Sequence, residues 1–306
     1  MMQCVPCVGD GDEACANCGK LGSNAVKLKD CTACRLVKYC DVDCQRAHRK
    51  QHKKACKQRK AELKDEQLYS QGLERPEGDF CPICTLPILL PMDDHSTSIP
   101  CCMKRICSGC VAGQIRHNKG ELECIFCRTP HPKNDADKLA MLRARVGKKD
   151  PAAIDVLGER YFRGSLGLQK DMQKAIELWT EAAELGSIEA LHNLGLAYDR
   201  GEGVQQDKAK AVQLRTKAAM KGHVVCRFAL GISELEMRNC NRAVKHLLIS
   251  AKMGHKKSVE LIKHLFMGGG ATKEQYAEAQ RGYQDALEGM KSHDRDEAKR
   301  LGYYSK

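Results

Sequence analysis

Large aromatic side chains are scarce in this 306-residue sequence, which has one Trp, five Phe and eight Tyr. A small segment so poor in bulky apolar groups cannot fold by burial alone and needs a metal or disulfides. Long apolar runs are missing too. The most apolar stretch, Leu86 to Met92, is broken by Pro87 and Pro91, which excludes a helical membrane span there. Met1 to Asp12 has no basic start and no apolar stretch of signal-peptide length, so the expected location is cytoplasm or nucleus, where thiols stay reduced. No pattern for a nucleophile or a hydrolytic centre is present either, and no catalytic residue is expected.

Cysteine, by contrast, is abundant and lopsided. Of 19 cysteines, 17 lie at or before Cys127 and only Cys226 and Cys240 lie beyond it. In a reducing compartment, paired CxxC spacings read as zinc ligands and not as a disulfide framework. The formal net charge of +12 counts these thiols as neutral. Ligation of four zinc ions by 15 thiolates would bring it to about +5, so the basic balance does not call for nucleic acid. The basic stretch Arg46 to Lys60 also lacks the aromatic interleaving that base stacking requires and reads as a solvated helix face.

Between Cys15 and Cys56 the ligand candidates run Cys15-x2-Cys18, Cys31-x2-Cys34, Cys40-x3-Cys44 and His52-x3-Cys56. Four pairs imply two tetrahedral sites, and the x3 spacing predicts that the last two pairs are helical. The string, with its Lys38-Tyr39-Cys40 and Cys44-Gln45 details, resembles the MYND zinc finger. That resemblance implies interleaved sites, with Cys15, Cys18, Cys40 and Cys44 on one zinc and Cys31, Cys34, His52 and Cys56 on the other. It also implies a grip on short proline-containing peptides, although Arg49 stands where such fingers usually carry a tryptophan. His48 is an alternative ligand, and Cys4-x2-Cys7 reads as a terminal dithiol without a partner pair.

A second set of eight follows: Cys81-x2-Cys84, Cys101-Cys102, Cys107-x2-Cys110 and Cys124-x2-Cys127. The segments Cys81-Pro82-Ile83-Cys84 and Cys124-Ile125-Phe126-Cys127-Arg128-Thr129-Pro130 look like a RING finger of an all-cysteine kind. Lys104 stands where the family's ligand histidine is expected, so both Cys101 and Cys102 have to serve. The resemblance implies Cys81, Cys84, Cys107 and Cys110 on one ion and Cys101, Cys102, Cys124 and Cys127 on the other. It further implies that Ile83, Arg128 and Pro130 contact a ubiquitin-conjugating enzyme and its ubiquitin. Ile125 departs from the usual proline, and His95 and His117 are expected as loop and helix residues and not as ligands.

Beyond His131 to Asp137 the composition turns to helix formers with regularly placed glycines. Trp179-Thr180-Glu181-Ala182-Ala183-Glu184-Leu185-Gly186 recurs 36 residues later from Arg215 to Gly222, and Leu157-Gly158, Leu194-Gly195 and Leu230-Gly231 mark successive first helices. Such a period means a helix-turn-helix solenoid. Asp171 and Asp207 are placed to be N-caps, Gly186, Gly222 and Gly254 to end helices, and Thr272 with Gln275 to form a capping box. The units resemble Sel-one-like repeats, relatives of the tetratricopeptide repeat, over about Pro151 to Gly254, which implies a scaffold for other proteins. Cys226 and Cys240 are expected to be a buried and a loop thiol without a metal role.

The fold class is therefore two small cross-braced zinc modules followed by an all-α helical-repeat solenoid. Its expected parts are an N-terminal segment to residue 14, the first module over 15–56, a charged linker or helix over 57–79, and the second module over 80–130. A linker or leading helix over 131–150 and repeats with capping helices over 151–306 complete it. The expected function is a zinc-binding adaptor whose partners are proteins, with no nucleic acid and no membrane. The competing expectation is a RING-type ubiquitin ligase whose repeats select the substrate.

Overall fold

The computed structural model describes residues 14–117 and 123–302, without the side chains of 116 and 117. Cys4 and Cys7, and the side chain of His117, fall outside the described residues. The described residues divide into two compact units, one up to Ser70 and the other from Gln71.

In the first unit a two-residue antiparallel pair, β1 (Lys29–Asp30) and β2 (Lys38–Tyr39), precedes one long helix, α1 (Val42–Ser70). The Asp41 carboxylate accepts from the backbone N–H of Cys44 at 2.7 Å and so satisfies a donor of the first turn. Only His52 and Leu68 of its 29 residues are buried. The rest is held by helix formers and exposed pairs such as Arg59 with Glu62 and Glu66, at 3.2 and 2.7 Å. Residues 57–70 thus continue the ligand-bearing helix and do not form a tether.

The second unit starts with a segment anchored on the repeats. Arg227, with no exposed surface, donates to the carbonyl of Ala219 at 2.9 Å and to that of Gln71 at 2.5 Å. The second cysteine module follows, with a single turn α2 (Met92–His95), an antiparallel pair β3 (Ser96–Ser98) and β4 (Arg105–Cys107), and α3 (Ser108–His117). Ile88, Ile99 and Ile106 are buried among its sulfurs.

A helical array completes the unit. It runs α4 (Asp135–Val146), α5 (Pro151–Arg163), α6 (Met172–Glu184), α7 (Ile188–Arg200), α8 (Lys208–Met220), α9 (Val224–Glu236), α10 (Cys240–Lys252), α11 (Lys256–Met267), α12 (Lys273–Glu288) and α13 (His293–Arg300). From α4 to α11 each helix packs on the next, α12 packs on α10 and α11, and α13 packs on α3 of the cysteine module. Asp171 and Asp207 cap α6 and α8 by accepting from the N–H groups of Lys174 and Lys210, and Thr272 with Gln275 closes a reciprocal box on α12. Cys240 opens α10, so it is a helix residue and not a loop thiol. Glycine earns its place most clearly at Gly158, where a Cβ would lie 2.8 Å from the Trp179 indole of the paired helix. No helix among the described residues is long and apolar enough to cross a membrane.

Candidate metal centres

The sulfur-bearing turns share one backbone device. In the turns starting at Cys15, Cys31, Cys81 and Cys124, the N–H four residues on donates back to the cysteine carbonyl, at 2.9, 2.9, 2.8 and 2.7 Å. The donor residue is left-handed in each: Gly19, Arg35, Thr85 and Arg128 have φ of 71°, 53°, 59° and 55°. A left-handed non-glycine costs about 1–2 kcal/mol, so three of these turns hold their shape only because something else overdetermines them. The tight turn tips both cysteine side chains toward one point.

A fifth turn explains the adjacent cysteines. Met103, at φ 56°, donates to the carbonyl of Ile99 at 2.8 Å, and the N–H of Ile99 donates to Lys104 at 2.9 Å. Ile99 therefore stands where the other turns have their first cysteine, Cys102 takes the second-cysteine place, and Cys101 sits one residue before it. The buried isoleucine fills the core while the sulfurs of Cys101 and Cys102 reach Cys127 at 3.3 Å and Cys124 at 3.7 Å. Lys104 turns away and lays its ammonium 4.1 Å from the centroid of the Phe126 ring.

The turns converge in groups. Donor atoms of Cys15, Cys18, Cys40 and Cys44 lie within 4.8 Å of one another, as do those of Cys31, Cys34, His52 and Cys56, of Cys81, Cys84, Cys107 and Cys110, and of Cys101, Cys124 and Cys127. A tetrahedral zinc with bonds of about 2.3 Å to sulfur has sulfur–sulfur edges of about 3.8 Å. The contacts Cys18–Cys40 at 3.6 Å, Cys31–Cys56 at 3.9 Å and Cys84–Cys107 at 3.8 Å match that edge. One local expectation fails. Cys40 is not helical: it lies at the bend before α1, and only Cys44, His52 and Cys56 ride on the helix. Asp41 turns the chain there so that Cys40 still reaches Cys44 at 3.5 Å.

Residues 15–56 match the family model described as MYND finger, and residues 151–187, 188–223 and 230–255 each match the Sel1 repeat. The chain carries a MYND finger and Sel1 repeats. Among solved structures it is similar to a Sel1 repeat protein from Oxalobacter formigenes, at 25% identity over 59% of this chain and 71% of that one, with a TM-score of 0.46. It is also similar to a protective antigen present in uropathogenic Escherichia coli strains and displaying an SLR fold. There the identity is 23% over 64% of this chain and 40% of that one, and the TM-score is 0.45.

The donor chemistry of the MYND finger suits a dication. Burial opposes ionisation of Cys15, but backbone N–H groups at Cys18, Cys40 and Asn17 outweigh it and draw its pKa down to about 6. Burial pushes Cys34 up to about 12. Four crowded thiols cannot all ionise without a counter-charge, and a bound dication supplies one. Burial, with His48 beside it, also holds His52 below the ordinary imidazole value, in the neutral form that ligates. His48 itself bonds the Tyr39 hydroxyl at 3.1 Å and stacks on His52, outside the ligand group.

One further group lies in the Sel1 repeats, and cysteine counting missed it. Donor atoms of His192, His223 and Cys226 also fall within 4.8 Å. The signal was present as His223-x2-Cys226, packed against Glu189-x2-His192 one repeat earlier. Its bonding differs from the cysteine sites. His223 Nδ1 accepts the backbone N–H of Cys226 as the N-cap of α9, and its Nε2 lies 3.3 Å from Glu189. Both ring nitrogens are thus engaged, and the group serves to pin α7 to α9. His95, at the end of α2, joins none of the cysteine groups named above.

Proposed function

We propose that the chain is an adaptor in the cytoplasm or nucleus that offers two protein-binding surfaces, one on the repeats and one on N-terminal modules held in shape by four zinc ions. Cys15, Cys18, Cys40 and Cys44 hold the first ion, Cys31, Cys34, His52 and Cys56 the second. Cys81, Cys84, Cys107 and Cys110 hold the third, and Cys101, Cys102, Cys124 and Cys127 the fourth. Zinc here supplies cross-links and no chemistry, because four protein ligands leave no position for water. The observation that carries the reading is a groove of about 610 Å³ on the Sel1 repeats, with Leu191, Leu194, Leu214 and Met220 as an apolar floor and Lys210 and Lys217 beside them. A Leu214→Lys, Met220→Lys variant, changed at half-buried positions of that floor, is expected to keep native helicity and to lose one set of bound proteins in affinity purification. Cys31→Ser is expected to lose a different set. Identical losses would reject two separate surfaces.

A second reading, a ubiquitin ligase of the RING type, draws on the second module's surface. Ile83 and Ile125 are 44% and 40% exposed, large apolar groups left in water. Arg128 is held left-handed by its turn, and Pro130 follows it. In a reconstitution with ubiquitin, activating enzyme and a panel of conjugating enzymes, this reading expects autoubiquitination that falls at least tenfold in Ile83→Ala and in Arg128→Ala. Silence across the panel removes it.

A further inference from the structure

The second module carries a cation supplied by the last described helix, 211 residues along the chain from the sulfur it touches. Arg295, on α13, is only 4% exposed. Its guanidinium donates to the carbonyls of Pro87 and Met290 at 2.7 and 2.8 Å, to that of Leu86 at 3.2 Å, and to the sulfur of Cys84 at 3.4 Å. Leu86 is the residue whose carbonyl accepts the N–H of Cys81, so the arginine grips both ends of that turn. The approach is close on the other side as well. A Cβ on Gly109, between Cys107 and Cys110, would lie 2.8 Å from the Arg295 nitrogen and 2.9 Å from its Cγ. Ser292 caps α13 by accepting from the Arg295 N–H, which fixes the helix start at this point.

We propose that Arg295 is a positioning residue for the Cys81, Cys84, Cys107 and Cys110 site, and that α13 is the fourth wall of the second module. This rests on the zinc reading above. Four thiolates and one dication leave a net charge of −2, expensive to bury unless paired. A guanidinium on the sulfur offsets part of that charge, and its N–H bond draws electron density from the thiolate. The sulfur becomes a weaker base and a poorer nucleophile, so protons, oxidants and competing chelators remove it from the metal less readily. Partners of this kind, once removed, typically cost about 10–100-fold in metal affinity. Planar, multidentate donation is what arginine provides and lysine does not. The same contact fastens the end of the repeat array to the cysteine module, so a change at either end is felt at the other.

The test is zinc release from the full-length chain to a chromophoric chelator, with total zinc counted first. Arg295→Met, close in volume and uncharged, is expected to release one ion of four about tenfold faster than wild type, with the other three unchanged. Arg295→Lys, which keeps the charge, is expected to fall between them. Gly109→Ala provides a second route, because it keeps the arginine and displaces α13; it too is expected to loosen the same single ion. Retained helical circular dichroism shows in each variant that the fold has held. Release kinetics identical to wild type in Arg295→Met and in Gly109→Ala overturn the proposal, as does equal release from the Met and Lys variants. A wild-type chain that holds fewer than four ions instead overturns the zinc assignment beneath it.

Discussion

Zinc removal by a strong chelator is expected to unfold the MYND finger while most of the helical signal survives. The reason lies in what the finger has for a core. Its buried cluster consists of Cys15, Cys31, Cys34 and Tyr39, so three of the four buried residues are the proposed ligands themselves. With the metal gone, Tyr39 and the partly buried Ala16, Leu28 and Val37 remain to oppose the chain entropy of some 40 residues, at about 1–2 kcal/mol each for the backbone alone. Structural zinc contributes about 10–16 kcal/mol of apparent free energy in finger peptides, as much as a whole domain's stability. The second module starts from a better position. It buries Ile88, Ile99 and Ile106 besides its sulfurs, and α13 packs on it. Hydrogen exchange during a chelator titration is therefore expected to lose protection over residues 15–56 first and over 80–117 later, while α5 to α12 stay protected. Simultaneous loss in all three regions would mean that the repeats depend on the metal, contrary to this account.

The parts of the structure that could be read in the sequence are those set by local spacing. Asp171, Asp207 and the Thr272–Gln275 pair cap helices because capping needs only a side chain and an N–H three residues away. Three interleaved groups of four were legible through pair spacing and resemblance, and of the fourth set Cys101, Cys124 and Cys127 come together in one group. Cys40 was misread as helical because an i, i+4 separation is also met by a bend capped by Asp41. The geometry that lets adjacent Cys101 and Cys102 share one turn is not visible in the spacing, because the place of Ile99 in that turn shows only in backbone bonds. Arg295 could not be found at all. Its partners lie 208 and 211 residues away, and an arginine on a charged helix has no pattern to distinguish it from a solvated one. The His192, His223 and Cys226 group falls between these cases: the spacing is visible, but its bonding depends on which way each ring nitrogen points.

The repeats offer the sharpest test of what holds them, at two equivalent positions filled by different chemistry. Trp179 on α6 is 3% exposed, donates its indole N–H to the carbonyl of Asp155 at 3.2 Å, and packs beside Phe162 with Ile154, Ile176 and Leu194 around it. Thirty-six residues on, Arg215 occupies the corresponding place on α8, 6% exposed, and pairs with Asp199 at 2.8 Å. Trp179→Ala empties the largest side chain from a close-packed core and is expected to cost about 3–5 kcal/mol, a fall of roughly 6–20 °C in the melting midpoint of the repeats. Because each repeat is stabilised by its neighbours, the loss should appear as a broader transition that starts at α5 and α6. Arg215 has a different expected balance. Its partner Asp199 has a side chain 35% exposed, so water can take over from the lost guanidinium. Arg215→Met keeps the packing stem and removes the charge, and because Asp199 is left partly in water the cost is expected to be about 1 kcal/mol, not that of a stranded buried charge. Thermal melts followed by circular dichroism are thus expected to separate the two variants by several kcal/mol. Equal destabilisation would show that the arginine's charge, and not its volume, holds the second repeat in the stack.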